Sequence, residues 1–405
     1  MVVEGLRCAD RVRAACCPAR MPRSAVALAL FFAVSVAMLG VFVPFWPAWL
    51  EARGLSKSQI GSLVAAWAWS RGLAGPLFAH WVDRSGARRS WILGLSVVST
   101  LFFLPFHFAR DFELLLGLTV VFGALHSQVI PLGENLIVFE ARRLRFSYAG
   151  VRWFGSVSFL LVSVFAGWAL DDGHAERAFP LALGFLALTC VAALALPRAP
   201  AAAPAAARER QRSPWRELWA RKPLLCALAG LGVLQAAHAA YYAYSTLHWN
   251  AAGHSTTTIG WLWAEGVVAE IALFALVGNL RVRIGEQTLL ILAVVGSLLR
   301  WAALGLTTDL EWLLATQWLH ALTFGATHLA AMGLLARSVG VDLSASAQSV
   351  YSSVNIAAHA TTVALTARLF DERGAAVFWP MLPIVLAGAA LAWIGMARER
   401  ARPVE

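Results

Sequence analysis

Ala79-His80-Trp81-Val82-Asp83-Arg84-Ser85-Gly86-Ala87-Arg88-Arg89 is a short polar run caught between two long apolar segments. A shift of 199 positions lays Gly278-Asn279-Leu280-Arg281-Val282-Arg283-Ile284-Gly285 over its start, with Arg84 on Arg283 and Gly86 on Gly285. The same shift, without a gap, sets Gly54, Ser56, Ile60, Gly61 and Leu63 on Gly253, Ser255, Ile259, Gly260 and Leu262. Two copies running in the same direction are a parallel internal repeat, so the chain divides into two halves built on one plan.

The segments around these runs decide the solvent. With 59% hydrophobic residues, 14% charged residues and a mean hydropathy of +0.66, an ordinary soluble globule is excluded. The apolar residues come in blocks. Residues 24–50 carry no charge over 27 positions, and at about 1.5 Å rise per residue such a helix exceeds the roughly 30 Å hydrocarbon core. Twelve blocks are read this way: 24–50, 59–80, 90–109, 112–138, 148–170, 178–196, 223–249, 257–278, 287–306, 311–335, 345–369 and 375–396. Backbone polar groups in lipid must be satisfied within the segment, so all twelve are expected to be helices. The expected fold is an all-α membrane protein, twelve transmembrane helices in two pseudo-symmetric six-helix bundles. Its parts would be a tail at 1–23, a bundle at 24–196, a linker at 197–222, a bundle at 223–396 and a tail at 397–405. Pro44 and Pro47 allow the first segment to bend, and Trp46 and Trp49 beside them suit an outer aromatic belt.

The net charge of +10 follows from topology, not from nucleic-acid binding. Of the 33 Lys and Arg, 24 fall in the even loops, the linker and the tails. Six lie at the odd loops and adjoining segment ends, and Arg71, Arg152 and Arg300 lie inside segments. This asymmetry places both termini in the cytoplasm, and the expected location is a bacterial-type inner (plasma) membrane. Five cysteines make no disulfide framework: Cys8, Cys16 and Cys17 precede the first segment, and Cys190 and Cys226 fall in or near segments. Residues 1–20 are Arg-rich and patternless, either a tail or an upstream start that is not used.

Ionisable side chains inside apolar segments are costly and mark function by default. Glu134 and Arg152 form the first pair. A guanidinium offers a planar fork to a substrate carboxylate, and a nearby Glu can neutralise it when the site is empty. Ser156, Phe159 and Ser163 follow on the face of Arg152. The second half carries Glu265 and Glu270 on segment eight, Arg300 on nine, and His320 and His328 on ten. Gln235, His238, Tyr242, Ser245 and Trp249 share one arc of segment seven; Gln317, His320, Phe324, Thr327 and His328 share a face of ten; Tyr351, Asn355 and His359 share one of eleven. A desolvated carboxylate beside a His and an Arg is an arrangement that can load and release a proton, which assigns Glu270, Arg300 and His320 to proton coupling. Glu265 is the competitor of Glu270, about 140° away around the same helix. Substrate binding is expected from Glu134, Arg152, Ser156, His238, Tyr242, Tyr351 and Asn355. A structural salt bridge and histidines that only join helices are the plainer readings of the same residues.

At 83–89 the chain resembles the major facilitator superfamily, whose motif reads Gly-x-Leu-Ala-Asp-Arg-x-Gly-Arg-Lys. Asp83, Arg84, Gly86 and Arg88 match it, while Ala79 and Trp81 depart from it. The resemblance implies a gating role for Asp83, Arg84, Gly86 and Arg88, and for Gly278, Arg283 and Gly285 in the second copy. The 18-residue separation of Glu134 and Arg152, and the spacing of Arg300 and His320, are similar to lactose permeases. Thr323 stands where those proteins carry a carboxylate after the His, and Val267 where they carry the segment-eight Glu. A closer resemblance is to the phenylpropionate permease family, through Pro44-Phe45-Trp46, Arg71, Gln235-Ala236-Ala237-His238-Ala239-Ala240-Tyr241-Tyr242, Gly266-Val267-Val268-Ala269-Glu270, Arg300-Trp301 and His328-Leu329-Ala330-Ala331-Met332. It implies proton-driven uptake of a small aromatic carboxylate by alternating access, with a sugar or nucleoside symporter as the alternative. The expected partners are a small-molecule substrate, protons and the lipid bilayer, with no nucleic acid, the protein working as a monomer. No enzyme motif, metal set or nucleotide loop is found, so neither an enzyme nor a cofactor is expected.

Overall fold

A computed structural model describes residues 22–198, 214–279, 284–339 and 341–401. Most of the N-terminal tail and of the linker, and Arg283 of the second polar run, lie outside them. Every regular element among the described residues is helical. The first half holds α1 (Arg23–Ala52), α2 (Lys57–Ser85), α3 (Arg88–Phe103), α4 (Phe112–His126), α5 (Val129–Leu144), α6 (Tyr148–Ala169) and α7 (Ala178–Leu194). A short helix, α8 (Pro214–Ala220), precedes α9 (Lys222–Ala236), α10 (Ala239–Ala251), α11 (Thr256–Asn279) and α12 (Glu286–Leu306). The chain ends with α13 (Leu310–Gln317), a π-helical turn (Ala321–Ala326), α14 (Thr327–Ser338), α15 (Val341–Arg373) and α16 (Met381–Arg400).

Three apolar blocks are broken rods: α4 and α5 meet at Ser127–Gln128, α9 and α10 at Ala237–His238, and α13 and α14 at the π-helical turn. Counting each as one span, ten helical spans among the described residues are long and apolar enough to cross a membrane. The two remaining rods, α2 and α15, are more polar because they pack on each other between the halves and not only against lipid.

The repeat is visible in the backbone. Gly54 and Gly253 both take the left-handed conformation, with φ of 86° and 92°, to turn the chain into α2 and α11. Two residues on, Ser56 Oγ accepts the Gln59 amide (3.2 Å) and Ser255 Oγ accepts the Thr258 amide (3.1 Å), matched N-caps. The polar runs are less alike than their sequences. Gly86, at φ 65°, ends α2 in a left-handed cap, whereas Gly285, at φ −65°, is extended and starts α12.

The halves meet along α2 against α15 and α6 against α11, pairs related by the repeat. Close approach needs small residues, since helix association in lipid rests on packing. A Cβ on Gly260 would stand 2.6 Å from the Ser163 carbonyl and 3.2 Å from Gly167 Cα. Gly61 faces Tyr244 and Ala367 of the second half with no more room. Beyond α6, the Asp171 carboxylate accepts from Thr257 Oγ1 (2.5 Å) and Thr256 Oγ1 (3.2 Å) at the start of α11. The Thr257 hydroxyl first, and Thr256 after it, hold the Asp171 carboxyl below the usual carboxylate range. All these contacts lie at the end remote from the termini. Trp46 and Trp49 lie at this same end but pack inside the first half and not in an outer belt. They are buried, stack at 4.2 Å between centroids and join a cluster with Phe42, Phe103 and Phe179.

Candidate functional site

Arg300, in the C-terminal half of α12, is fully buried. Its Nη1 donates to His320 Nδ1 (2.9 Å) and Thr323 Oγ1 (3.1 Å), and its Nη2 to Gln317 Oε1 (2.8 Å). The guanidinium lies 4.3 Å from the centroid of the Tyr241 ring, whose hydroxyl also donates to Gln317 Oε1 (3.0 Å). Each acceptor is neutral, so the charge is held by hydrogen bonds and ring faces with no carboxylate among those bonds. His238 Nδ1 lies 2.9 Å from the Gln235 carbonyl and therefore carries the proton; its Nε2 then accepts from Thr323 Oγ1 at 3.0 Å. By the same logic Arg300 fixes His320 Nδ1 as an acceptor and puts the proton on Nε2. That nitrogen points to Glu270 Oε2 at 3.8 Å, longer than a hydrogen bond and closed by a small movement.

Two irregularities aim these groups. The π-helical turn begins right after His320, and such turns recur at functional sites. The break before α10 is closed by tight bonds, Ala237 N to Leu234 O (3.2 Å) and His238 N to Gln235 O (3.3 Å), which turn the His238 ring toward Thr323. Gln317 Nε2, Arg300 Nε and Gln235 Oε1 remain buried without a partner.

In the first half, Arg152 Nη1 contacts Glu134 Oε1 and stands 3.3 Å from Tyr148 Oη. Solvent reaches both side chains, which are 54% and 30% exposed, and Glu270 opposite is 23% exposed. Arg152 is close enough to Glu270 and His328 to interact with them electrostatically. With the far end sealed, the exposure of these charges implies a cleft that opens toward the termini. Ser156 and Phe159 are half-buried near the pair, whereas Ser163 bonds the Phe159 carbonyl (2.7 Å) and belongs to the seam. Tyr242 stacks near His238 (5.8 Å), Trp263 (5.9 Å) and His359 (5.9 Å). Tyr351 is buried and Asn355 half-buried where α15 crosses Gly232 of α9.

The sequence-predicted residues thus divide. Glu270, His320 and Arg300 come together in a chain. His238, expected at the substrate, is buried with both ring nitrogens engaged in that same network. Glu265 is set apart, one carboxylate oxygen buried without a partner. Sequence reasoning missed Tyr241 and the hub role of Thr323; their only signals are the polar positions themselves beside an intramembrane Arg. In the gating run Arg84 is exposed and Arg88 half-buried, Asp83 lies in the last turn of α2, and Gly278 lies near the end of α11.

A sequence model described as the MFS_1 like family matches residues 25–381. The chain belongs to this family of the major facilitator superfamily, and it is a transporter of that type. Among its relatives, the probable 3-phenylpropionic acid transporter of Escherichia coli (strain K12) is 31% identical over 355 residues, covering 86% of this chain and 91% of the relative. The maltose permease of Geobacillus stearothermophilus is 27% identical over 329 residues, 80% of this chain and 82% of that protein. Among solved structures, a mutant of the nucleoside transporter NupG superposes with a TM-score of 0.79 at 11% identity, over 92% of this chain and 99% of that one. A bacterial homologue of the human lysosomal transporter Spinster, in an inward-facing and unoccupied conformation, gives 0.65 at 14% identity, over 94% and 96%. These likenesses establish the fold.

Proposed function

We propose that the protein is a secondary active transporter that moves a small aromatic carboxylate, of the phenylpropionate type, together with protons across a bacterial inner membrane by alternating access. One observation carries the reading. A charge pair in the first half, Glu134–Arg152, faces a protonatable chain in the second, Glu270–His320–Arg300, across one cleft sealed at a single end. Arg152 and Glu134, with Ser156, Tyr242, Tyr351, Asn355 and His238 behind Tyr242, make up the substrate region. Glu270 carries the proton, His320 relays or holds it, and Arg300 fixes the orientation of His320. The similarity to the phenylpropionic acid transporter supports an aromatic acid as cargo. Both termini face the cytoplasm, the cleft opens to that side in this conformation, and one chain is the working unit, joined by the linker at 197–222 between bundles at 24–196 and 223–396. Asp83, Arg84, Gly86 and Arg88, with Gly278, Arg283 and Gly285, bias the inward–outward equilibrium from that same side.

A sugar or nucleoside symporter is the second reading, favoured by the maltose permease and nucleoside transporter likenesses. Counterflow in proteoliposomes separates them. Labelled 3-phenylpropionate should exchange and be displaced by its unlabelled form, while maltose and uridine should not compete. Exchange of maltose or uridine without exchange of the acid would overturn the first reading.

A further inference from the structure

We propose that Arg71 is a second anion station, which takes the carboxylate of the cargo on the first-half side of the cleft, with Trp67, Tyr242 and His359 as its walls. The inference deepens the proposed function and rests on it.

Arg71 is the central residue of the 29-residue α2, so it lies at the midplane where a cation is hardest to keep. It is nevertheless exposed. The exposure is not to lipid, because the chain surrounds Arg71 on its own face. Its guanidinium lies 5.6 Å from the Trp67 ring centroid, one turn away, and Trp67 packs on Phe42 (5.5 Å) inside the first half. Leu73, about 200° around the helix from Arg71, is the strongly exposed residue and marks the opposite face. From the second half, Tyr242 and His359 are near enough for their charge to act on Arg71. Next to Arg71, Gly72 brings α2 against Ile356, less than one turn from His359.

The three intramembrane arginines differ in what occupies them. Arg152 is already paired with Glu134, and Arg300 spends Nη1 and Nη2 on His320, Thr323 and Gln317. Among the described residues no carboxylate pairs with Arg71 and no hydrogen-bond acceptor engages it; a ring face is its contact. A guanidinium with its fork free, open to solvent and walled by aromatic rings, matches an acid that bears an aromatic ring. Arg152 must first be released by Glu134, whereas Arg71 needs no exchange of partner. His359 beside it offers a further nitrogen to a carboxylate oxygen or to a ring substituent.

The test compares binding of 3-phenylpropionate with that of its uncharged amide, 3-phenylpropionamide, by isothermal titration to purified full-length protein, wild type against Arg71→Gln and Arg71→Lys. The wild type should prefer the acid. Arg71→Gln should lose about tenfold to a hundredfold in acid affinity, the range of a charge-assisted contact, with amide affinity changed less than about threefold. Arg71→Lys should recover part of the acid preference. Retained amide binding certifies folding. Equal losses for acid and amide, or an unchanged acid preference in Arg71→Gln, would overturn the station at Arg71 while leaving the aromatic-acid reading intact. Binding of neither ligand by the wild type would overturn that reading and this inference together.

Discussion

At the scale of single residues, Thr323 is the hinge of the buried network. Its hydroxyl accepts from Arg300 and donates to His238, so removing it strands a ring nitrogen and one guanidinium donor at once. Thr323→Val keeps the shape and deletes the hydroxyl. It should destabilise the detergent-solubilised protein by about 1–3 kcal/mol, read as a fall in thermal midpoint, because buried polar groups without partners carry the desolvation cost. An unchanged midpoint would show that these groups find other partners. Arg152 tests a different property. An ammonium cannot reproduce a planar fork, so Arg152→Lys should lower uptake of labelled acid roughly tenfold or more, although the charge is kept. Uptake at the parent rate would reduce Arg152 to a cation of no particular geometry.

At the scale of elements, the seam between the halves depends on backbone approach. Gly260 and Gly167 leave no room for a Cβ, so Gly260→Leu should wedge α11 from α6 and open the sealed end. With Val164→Cys as reporter on the cysteine-free protein, alkylation by a membrane-impermeant reagent from outside should rise severalfold. No rise would place the seal elsewhere. The sequence made much of this legible. The shift of 199 residues paired Gly54 with Gly253 and Ser56 with Ser255, and the structure uses both pairs alike, as left-handed turns and helix caps. Apolar length located the rods because lipid leaves no alternative to helix. The breaks at Ser127–Gln128 and Ala237–His238 and the π-helical turn were not legible, since they lie inside continuous apolar blocks and consist of local changes of backbone bonding that hydropathy does not register. Trp46 and Trp49 misled for a related reason: a Trp near a segment end suits a headgroup belt and an aromatic core equally, and packing with Phe103 and Phe179 decides it. For the site, charge in apolar sequence pointed to Glu270, Arg300 and His320, but Thr323 looked like an absence and proved to be the hub.

At the scale of the whole molecule, two acidic groups are set different tasks. Asp171 latches the sealed end, and its carboxyl lies below the usual range while Thr256 and Thr257 hold it. Opening frees it to its ordinary value of about 4. Closure therefore gains from this contact above about pH 4 and loses it as pH falls through the lower closed-state value. Between pH 5 and 8 the latch stays charged and contributes no slope. Asp171→Ala should raise external labelling at Val164→Cys while leaving the shape of the transport–pH profile in that range unchanged; a displaced profile would give Asp171 a part in coupling. In the proposed mechanism coupling falls to Glu270, which is partly exposed and faces His320 Nε2 at 3.8 Å. The direct measurement is proton movement with substrate. Adding 3-phenylpropionate to a lightly buffered suspension of de-energised cells expressing the wild-type protein should make the medium alkaline as protons enter with the acid. Glu270→Gln should abolish that signal while still exchanging labelled acid in counterflow, which needs no net proton transfer. Substrate-driven alkalinisation that persists in Glu270→Gln, or substrate entry in the wild type without any proton uptake, would contradict the account.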